Sequence, residues 1–261
     1  MHNRPMILVF DSGLGGLTVL REIVKARPEA RYVYVADDAF FPYGQHDEAT
    51  LAERVVPLIG DLIGQFDPRL VVIACNTAST LVMTHLRASY TVPFVGTVPA
   101  IKPACAASRS KRVSVLGTKG TVAREYTQRL IRDFGQGCEV TLVGSANLAA
   151  MGEAWLRGEA ISDAAIAAEI APCFVDGAQR TDTVVLACTH YPLLLERFRA
   201  LAPWPVDWID PAPAIARRTS DLLGPPMVED EVLRPRFLFT SGRQSLSDDA
   251  LTPFFHARAA A

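Results

Sequence analysis

One pattern occurs twice in this 261-residue chain and limits its fold more than any other feature. Val71-Val-Ile-Ala-Cys-Asn-Thr and Val184-Val-Leu-Ala-Cys-Thr-His are both short, β-branched apolar runs that break on a cysteine followed by hydrogen-bonding side chains. A looser pair precedes them in the same order, Ile7-Leu-Val-Phe-Asp-Ser-Gly-Leu-Gly-Gly and Val113-Ser-Val-Leu-Gly-Thr-Lys-Gly-Thr. The offsets are close: 106 residues from Ser12 to Thr118 and 113 from Cys75 to Cys188. Two matched pairs at nearly one offset predict two similar halves built from one plan.

The rest of the chain gives those halves their class. Apolar runs at Met6–Phe10, Tyr32–Ala36, Leu70–Cys75, Val113–Leu116, Glu139–Val143 and Thr183–Cys188 alternate with longer stretches of helical apolar spacing. Strands covered on both faces read as continuous apolar runs, so the rhythm predicts an α/β fold with mainly parallel sheets. Two such halves are expected to be related by a pseudo-twofold axis. In these folds ligands sit beyond the carboxyl ends of the strands, which places the expected active site in the cleft between the halves. The Pro-rich stretch 92–103 is the expected first crossing, and the stretch 204–213, interrupted by prolines, the second. The tail, with an apolar run at Phe237–Phe239, is too short to fold alone and is expected to rejoin the first half. The predicted domains are therefore 1–97 plus 210–261, and 98–209.

Composition narrows the function classes. Twenty-six basic against 28 acidic residues leave a formal charge of −2, which gives no support to nucleic-acid binding. The longest apolar run, Leu70 to Cys75, is far short of the ~20 residues that span a bilayer, and no signal-peptide pattern opens the chain. A cytoplasmic protein without membrane contact is expected. Five cysteines are an odd number without a disulfide framework, so each thiol needs its own explanation.

Cys75 and Cys188 each end an apolar run and precede polar residues, which places them at a cleft floor near helix N-termini, where a thiolate is favoured. Cys105, Cys138 and Cys173 lack that setting and read as packing or surface thiols. Neither metal-ligand spacing nor a Cys-x-x-Cys pair is present, so no metal site and no redox pair is predicted. Acyl transfer would use one thiol and leave the other unexplained. Proton transfer on both faces of one carbon accounts for the two together. Asp11 and His190 are the expected acid–base partners of Cys75 and Cys188. The loops Asp11-Ser-Gly-Leu-Gly-Gly and Gly117-Thr-Lys-Gly-Thr are expected to offer backbone N–H groups to an anionic carboxylate, helped by Thr77, Thr118 and Thr189, with the Pro42-Tyr43-Gly44 turn nearby.

Three rival readings compete. Gly13-x-Gly15 after a strand, with Asp37 or Asp38 ending the next one, partly matches a dinucleotide fingerprint, but Thr18 stands at the third glycine position. A pyridoxal-phosphate enzyme would need a Schiff-base lysine, and Lys119 alone has a suitable setting. A non-catalytic binding protein for an anionic ligand is the third.

The motifs Phe10-Asp-Ser-Gly-Leu-Gly-Gly-Leu-Thr-Val, Asp37-x₄-Pro42-Tyr-Gly, Ala74-Cys-Asn-Thr-Ala-Ser, Gly117-Thr-x-x-Thr and Ala187-Cys-Thr-His-Tyr-Pro-Leu-Leu together resemble the glutamate racemases of the cofactor-independent aspartate/glutamate racemase superfamily. Phe239-Thr-Ser-Gly in the tail is similar too. The resemblance implies interconversion of L- and D-glutamate, supplying D-glutamate for peptidoglycan, without pyridoxal phosphate, nucleotide or metal. It implies that Cys75 takes the α-proton from D-glutamate with Asp11 beside it, and that Cys188 takes it from L-glutamate with His190 beside it. Ser12, Pro42, Tyr43, Gly44, Asn76, Thr77, Thr118, Thr121 and Thr189 are the implied substrate contacts. Glu153 is the implied helper of the second cysteine, although Leu148-Ala-Ala-Met-Gly-Glu departs from the family's usual Leu-Val-Pro-Leu-Val-Glu. A homodimer is expected, and aspartate is the nearest alternative substrate.

Overall fold

The computed structural model describes residues 4–135, 137–226, 233–244 and 246–255. In chain order the elements are β1 (Met6–Asp11), α1 (Leu17–Ala26), β2 (Arg31–Ala36), α2 (Glu48–Phe66), β3 (Leu70–Ile73), α3 (Asn76–Leu81), α4 (Met83–Ser89) and β4 (Phe94–Gly96). There follow α5 (Ile101–Ala107), β5 (Arg112–Thr118), α6 (Lys119–Ala123), α7 (Glu125–Phe134), β6 (Glu139–Ser145), α8 (Leu148–Leu156), α9 (Asp163–Ile170), β7 (Thr183–Ala187), α10 (Leu195–Leu201) and β8 (Asp207–Ile209). The last are α11 (Ala212–Leu223), β9 (Arg236–Phe239) and α12 (Asp248–Leu251).

The chain divides into two compact units, residues 1–97 with 212–261, and residues 98–211. The end of the tail, 256–261, lies outside the described residues. The first unit holds a parallel sheet of order β4-β3-β1-β2-β9, and the second a parallel sheet of order β6-β5-β7-β8. The four-strand orders are the same: β2-β1-β3-β4 in one unit and β6-β5-β7-β8 in the other, with β9 added to the first. That shared topology is the structural counterpart of the sequence repeat.

Burial explains why the strands read as they do. Ile7, Leu8, Val9 and Phe10 of β1, all four residues of β3, and all five of β7 are buried. Strands covered by helices on both faces have no solvent side on which polar residues would alternate. Among the described residues, the tail meets the first unit at β9 and at α11. β9 pairs with β2 from Val33↔Arg236 to Ala36↔Phe239. At the other end Arg27, fully buried beside Glu29 at 2.7 Å, donates through Nη1 to the carbonyls of Ser220 and Gly224 at the end of α11.

Two expectations need correction. The stretches 92–103 and 204–213 are more than crossings, because each holds a three-residue edge strand, β4 and β8. An edge strand pairs on one side only and tolerates neighbouring prolines, which obscured both. The run Leu70–Cys75 is also shorter than expected: β3 stops at Ile73, and Cys75 is the N-cap residue of α3.

Candidate functional site

Each unit carries a cysteine at the carboxyl edge of its sheet. In the first unit Phe10 pairs with Ile73, so Ser12 and Cys75 lie two residues farther out on adjacent chains. The ladder continues past the strands, with Ala74 N–H donating to Phe10 O at 2.7 Å, Asp37 N–H to Asp11 O at 2.9 Å, and Thr240 N–H to Ala36 O at 3.0 Å. Asp11, Asp37, Cys75 and Thr240 are thereby brought to one edge by backbone bonding alone.

Cys75 is 5% exposed. Its Sγ lies 3.7 Å from Ser12 Oγ and accepts from Ala78 N–H at 3.5 Å. A sulfur held by an N–H in the first helical turn is in the setting that favours thiolate. The neighbouring Asn76 is buried, and neither its Oδ1 nor its Nδ2 has a hydrogen-bond partner in the protein. A buried amide left in that state has a cost of about 1–3 kcal/mol, which a polar ligand would relieve. Thr77 is buried in the same turn.

The glycine loop does something different from what its composition predicts. Asp11, wholly buried, accepts through Oδ2 from Gly16 N–H at 2.8 Å and from Gly13 N–H at 3.4 Å. Those two amides are turned onto the chain's own carboxylate and are not offered to an external anion. Gly16 is required by close approach: a Cβ there would lie 2.7 Å from Asp11 Cβ and 3.1 Å from Ala74 Cβ.

Pro42, Tyr43 and Gly44 form the start of a short 3₁₀ turn that is held from beneath by Asp37. Tyr43 donates to Asp37 Oδ2 at 2.6 Å, Arg54 donates through Nη2 to Oδ1 at 2.6 Å, and Thr240 Oγ1 donates to Oδ1 at 2.7 Å. Burial works to raise the Asp37 carboxyl, but the Arg54, Thr240 and Tyr43 hydrogen bonds outweigh it and hold the group below its ordinary value. Burial, with the nearby Asp37, Cys75 and Asp11, pushes the Tyr43 hydroxyl well above its ordinary range, so it stays a donor. Asp37 is consequently committed to its protein partners, and Asp38 accepts from Ser241 N–H at 2.9 Å and Ser241 Oγ at 2.6 Å, so both acids that a dinucleotide site could use for the ribose are already engaged.

In the second unit Gly117 pairs with Ala187, so Thr118 and Cys188 are the next residues out. Thr118 takes the place that Ser12 has in the first unit. Its Oγ1 accepts from Thr121 N–H at 3.1 Å and lies 2.9 Å from Thr121 Oγ1, capping α6. Cys188 is 6% exposed and Thr189 is buried. The helix expected to start at the Tyr-Pro pair after Cys188 opens as a 3₁₀ turn before it becomes α-helical. Tyr191–Leu194 is a 3₁₀ turn, entered through a Tyr191 N–H to Cys188 O bond, and α10 follows only from Leu195.

His190 joins the thiol to a carboxylate. Its Nδ1 lies 3.7 Å from Cys188 Sγ and its Nε2 lies 3.0 Å from Glu153 Oε1. Burial alone would depress the imidazole, but hydrogen bonding and charge from Cys188 and Glu153 outweigh it and raise His190 well above its ordinary value. A proton at this site is held by the ring. Arg157 Nη1, 3.4 Å from Glu153 Oε2, extends the chain toward the surface. Gly152 was not singled out from sequence, yet a Cβ there would lie 3.2 Å from both Cβ and O of His190. Lys119 is exposed on α6. Among the described residues no cluster of three His, Cys, Asp or Glu side chains is arranged to hold a metal, and no helix is long and apolar enough to cross a membrane.

The two units thus share one plan: a nearly buried thiol at a sheet edge, with a hydroxyl-bearing residue, Ser12 or Thr118, at the matching position of the adjacent strand. Residues 7–219 match the sequence profile of the Asp/Glu/hydantoin racemase family. The chain is 60% identical over 231 residues to the glutamate racemase of Brucella anthropi, covering 88% of this chain and 83% of that one. It is 55% identical over 255 residues to the glutamate racemase of Rhizobium meliloti, covering 97% and 92%. Among solved structures, the Escherichia coli glutamate racemase in complex with L-glutamate and the activator UDP-MurNAc-ala superposes with a TM-score of 0.86 at 38% identity, over 96% of this chain and 93% of that one. The glutamate racemase of Campylobacter jejuni gives a TM-score of 0.78 at 27% identity, over 97% and 100%.

Proposed function

The chain belongs to the Asp/Glu/hydantoin racemase family and is a glutamate racemase, and we propose that it inverts the α-carbon with one thiol from each half-site. The observation that carries this reading is the equivalence of Ser12 with Cys75 and Thr118 with Cys188 at the edges of two sheets of the same order. A reaction that needs a base on one face and an acid on the other requires two such groups, and a single nucleophile does not.

In the proposed reaction of L-glutamate, Cys188 as thiolate takes the α-proton and Cys75 as thiol delivers one to the opposite face; D-glutamate runs the steps in reverse. His190 holds its proton beside Cys188 and stabilises the thiolate, and Glu153 holds the ring in place. Asp11 serves the Cys75 side, where its bonds to Gly13 and Gly16 also fix the loop that carries Ser12. Ser12, Asn76, Thr77, Thr118, Thr121, Thr189 and the Pro42–Gly44 turn bind the substrate, and the Asn76 amide is the donor–acceptor pair that substrate satisfies. The α-proton of an amino acid with an ionised carboxylate is very weakly acidic. Preorganised donors aimed at the carboxylate are the means by which such a site stabilises the carbanion-like state.

The product supplies D-glutamate for peptidoglycan. We further propose that the enzyme is cytoplasmic, a homodimer, and needs neither pyridoxal phosphate nor another cofactor. The test is a circular-dichroism time course in deuterated water from each pure enantiomer. Loss of optical activity from both glutamates, with solvent deuterium in the product ahead of its appearance in unreacted substrate, supports the reading. Exchange into substrate without inversion, or equal turnover of aspartate, contradicts it.

A further inference from the structure

Three cysteines take no part in the proposed reaction. Cys173 is wholly buried. Cys105 and Cys138 are a pair. Cys105 lies on α5, at 5% exposure, and Cys138 stands one residue before β6, partly exposed. Cys138 Sγ approaches Cys105 O at 3.5 Å, which brings the two cysteines side by side. They are separated by 33 residues of sequence, so this contact is made by the fold. The surroundings otherwise include Ile101, Ala104, Val113, Leu130, Ile131 and Val140. Lys111 is the cation at this place, donating through Nζ to Cys105 O at 3.2 Å.

We propose that Cys105 and Cys138 form an oxidisable dithiol, at which a low-molecular-weight disulfide is reduced and the two cysteines close to an intrachain bond between α5 and β6. The steps balance. The Cys138 thiolate, the accessible one, attacks a sulfur of the small disulfide and expels one thiolate, leaving a mixed disulfide at Cys138. The Cys105 thiolate then attacks Cys138 Sγ and expels the second thiolate. Two cysteines are oxidised, one small disulfide is reduced to two thiols, and the protons given up by the cysteines are taken by the leaving thiolates.

The same geometry sets the rate. Burial first, and then the contact with Cys138, pushes the Cys105 thiol up to about 12, with Lys111 opposing. Closure is the slow step, and it quickens as pH rises because only the thiolate attacks. The loop that the bond closes, residues 105–138, carries Thr118 and Thr121.

The experiment is to incubate the full-length protein with oxidised glutathione at pH 7 and pH 9, block free thiols, and map peptides without reduction. The expected result is a cross-linked peptide pair joining Cys105 to Cys138, about 2 mass units lighter than the sum of the two. It should form about tenfold or more faster at pH 9, and be absent from Cys138→Ser. Glutathione retained on Cys138 with Cys105 still alkylatable would overturn the proposal, as would both thiols staying free.

Discussion

Glu153 Oε1 and His190 Nε2 are 3.0 Å apart in a site where both side chains are almost wholly withdrawn from solvent. Together with Cys188, which lies 3.7 Å from the ring's other nitrogen, the contact raises the imidazole well above its ordinary value against the opposing effect of burial. Glu153→Gln retains a hydrogen-bonding group and removes the charge, so the alkaline limb of the pH–rate profile should move to lower pH, with turnover at pH 8 falling about tenfold or more. Because the two enantiomers have equal free energies, kcat/KM must fall equally in both directions, which racemisation assays from each pure enantiomer will show. Stability follows the same sign. A histidine raised on folding adds stability that is fully present below its ordinary value of 6.5 and is lost as pH rises through the folded value, so Glu153→Gln should flatten that decline in thermal scans.

Gly152 separates stability from activity. Alanine is the better helix former by about 1 kcal/mol, while its Cβ would press on His190 at 3.2 Å from two atoms, one of them backbone. Gly152→Ala should leave the unfolding free energy within about 1 kcal/mol of the parent protein and reduce turnover about tenfold by displacing the imidazole. Loss of stability with retained activity would show that α8 shifts and His190 does not.

Asp37→Asn removes the charge under the Pro42–Gly44 turn. Losing charge-assisted bonds from Arg54 and Tyr43 should destabilise the fold by about 1.5–3 kcal/mol in urea titration, and raise the KM for glutamate more than it lowers kcat. The depressed Asp37 carboxyl contributes stability that is present above its ordinary value of 3.8 and is lost as pH falls through the folded value. The variant should therefore lose less stability than the parent on acidification below pH 4.

Arg27 tests the attachment of α11. Arg27→Met strands Glu29 as a buried carboxylate and frees the carbonyls of Ser220 and Gly224, at a cost of about 3–5 kcal/mol. Adding Glu29→Leu should recover most of that loss, and unfolding curves of the single and double variants measure the difference.

What the sequence made legible divides along physical lines. β1, β3 and β7 are buried on both faces, and both cysteines follow such runs, so continuous apolar segments located the strands and the site edge together. β4 and β8 are three-residue edge strands within Pro-rich segments, too short to carry a pattern. The bond from Thr240 to Asp37 spans 203 residues and depends on β9 pairing with β2, which no local signal encodes. Gly152 against His190 and Cys138 against Cys105 are contacts of packing, visible only once helix and sheet are assembled. In the Asp11 loop the glycines signal available amides, but not that the buried Asp11 carboxylate takes those of Gly13 and Gly16.

The division of labour between Cys75 and Cys188 is tested most directly by single variants acting on each enantiomer of a glutamate that carries a leaving group on carbon 3. Elimination from such a substrate needs a base on one face only, so a variant lacking the opposite thiol retains it while losing racemisation. Cys75→Ala, which keeps Cys188, should eliminate from the L enantiomer, and Cys188→Ala from the D enantiomer. The same enantiomer preference in both variants, or near-parental racemisation by either, would contradict the two-thiol account.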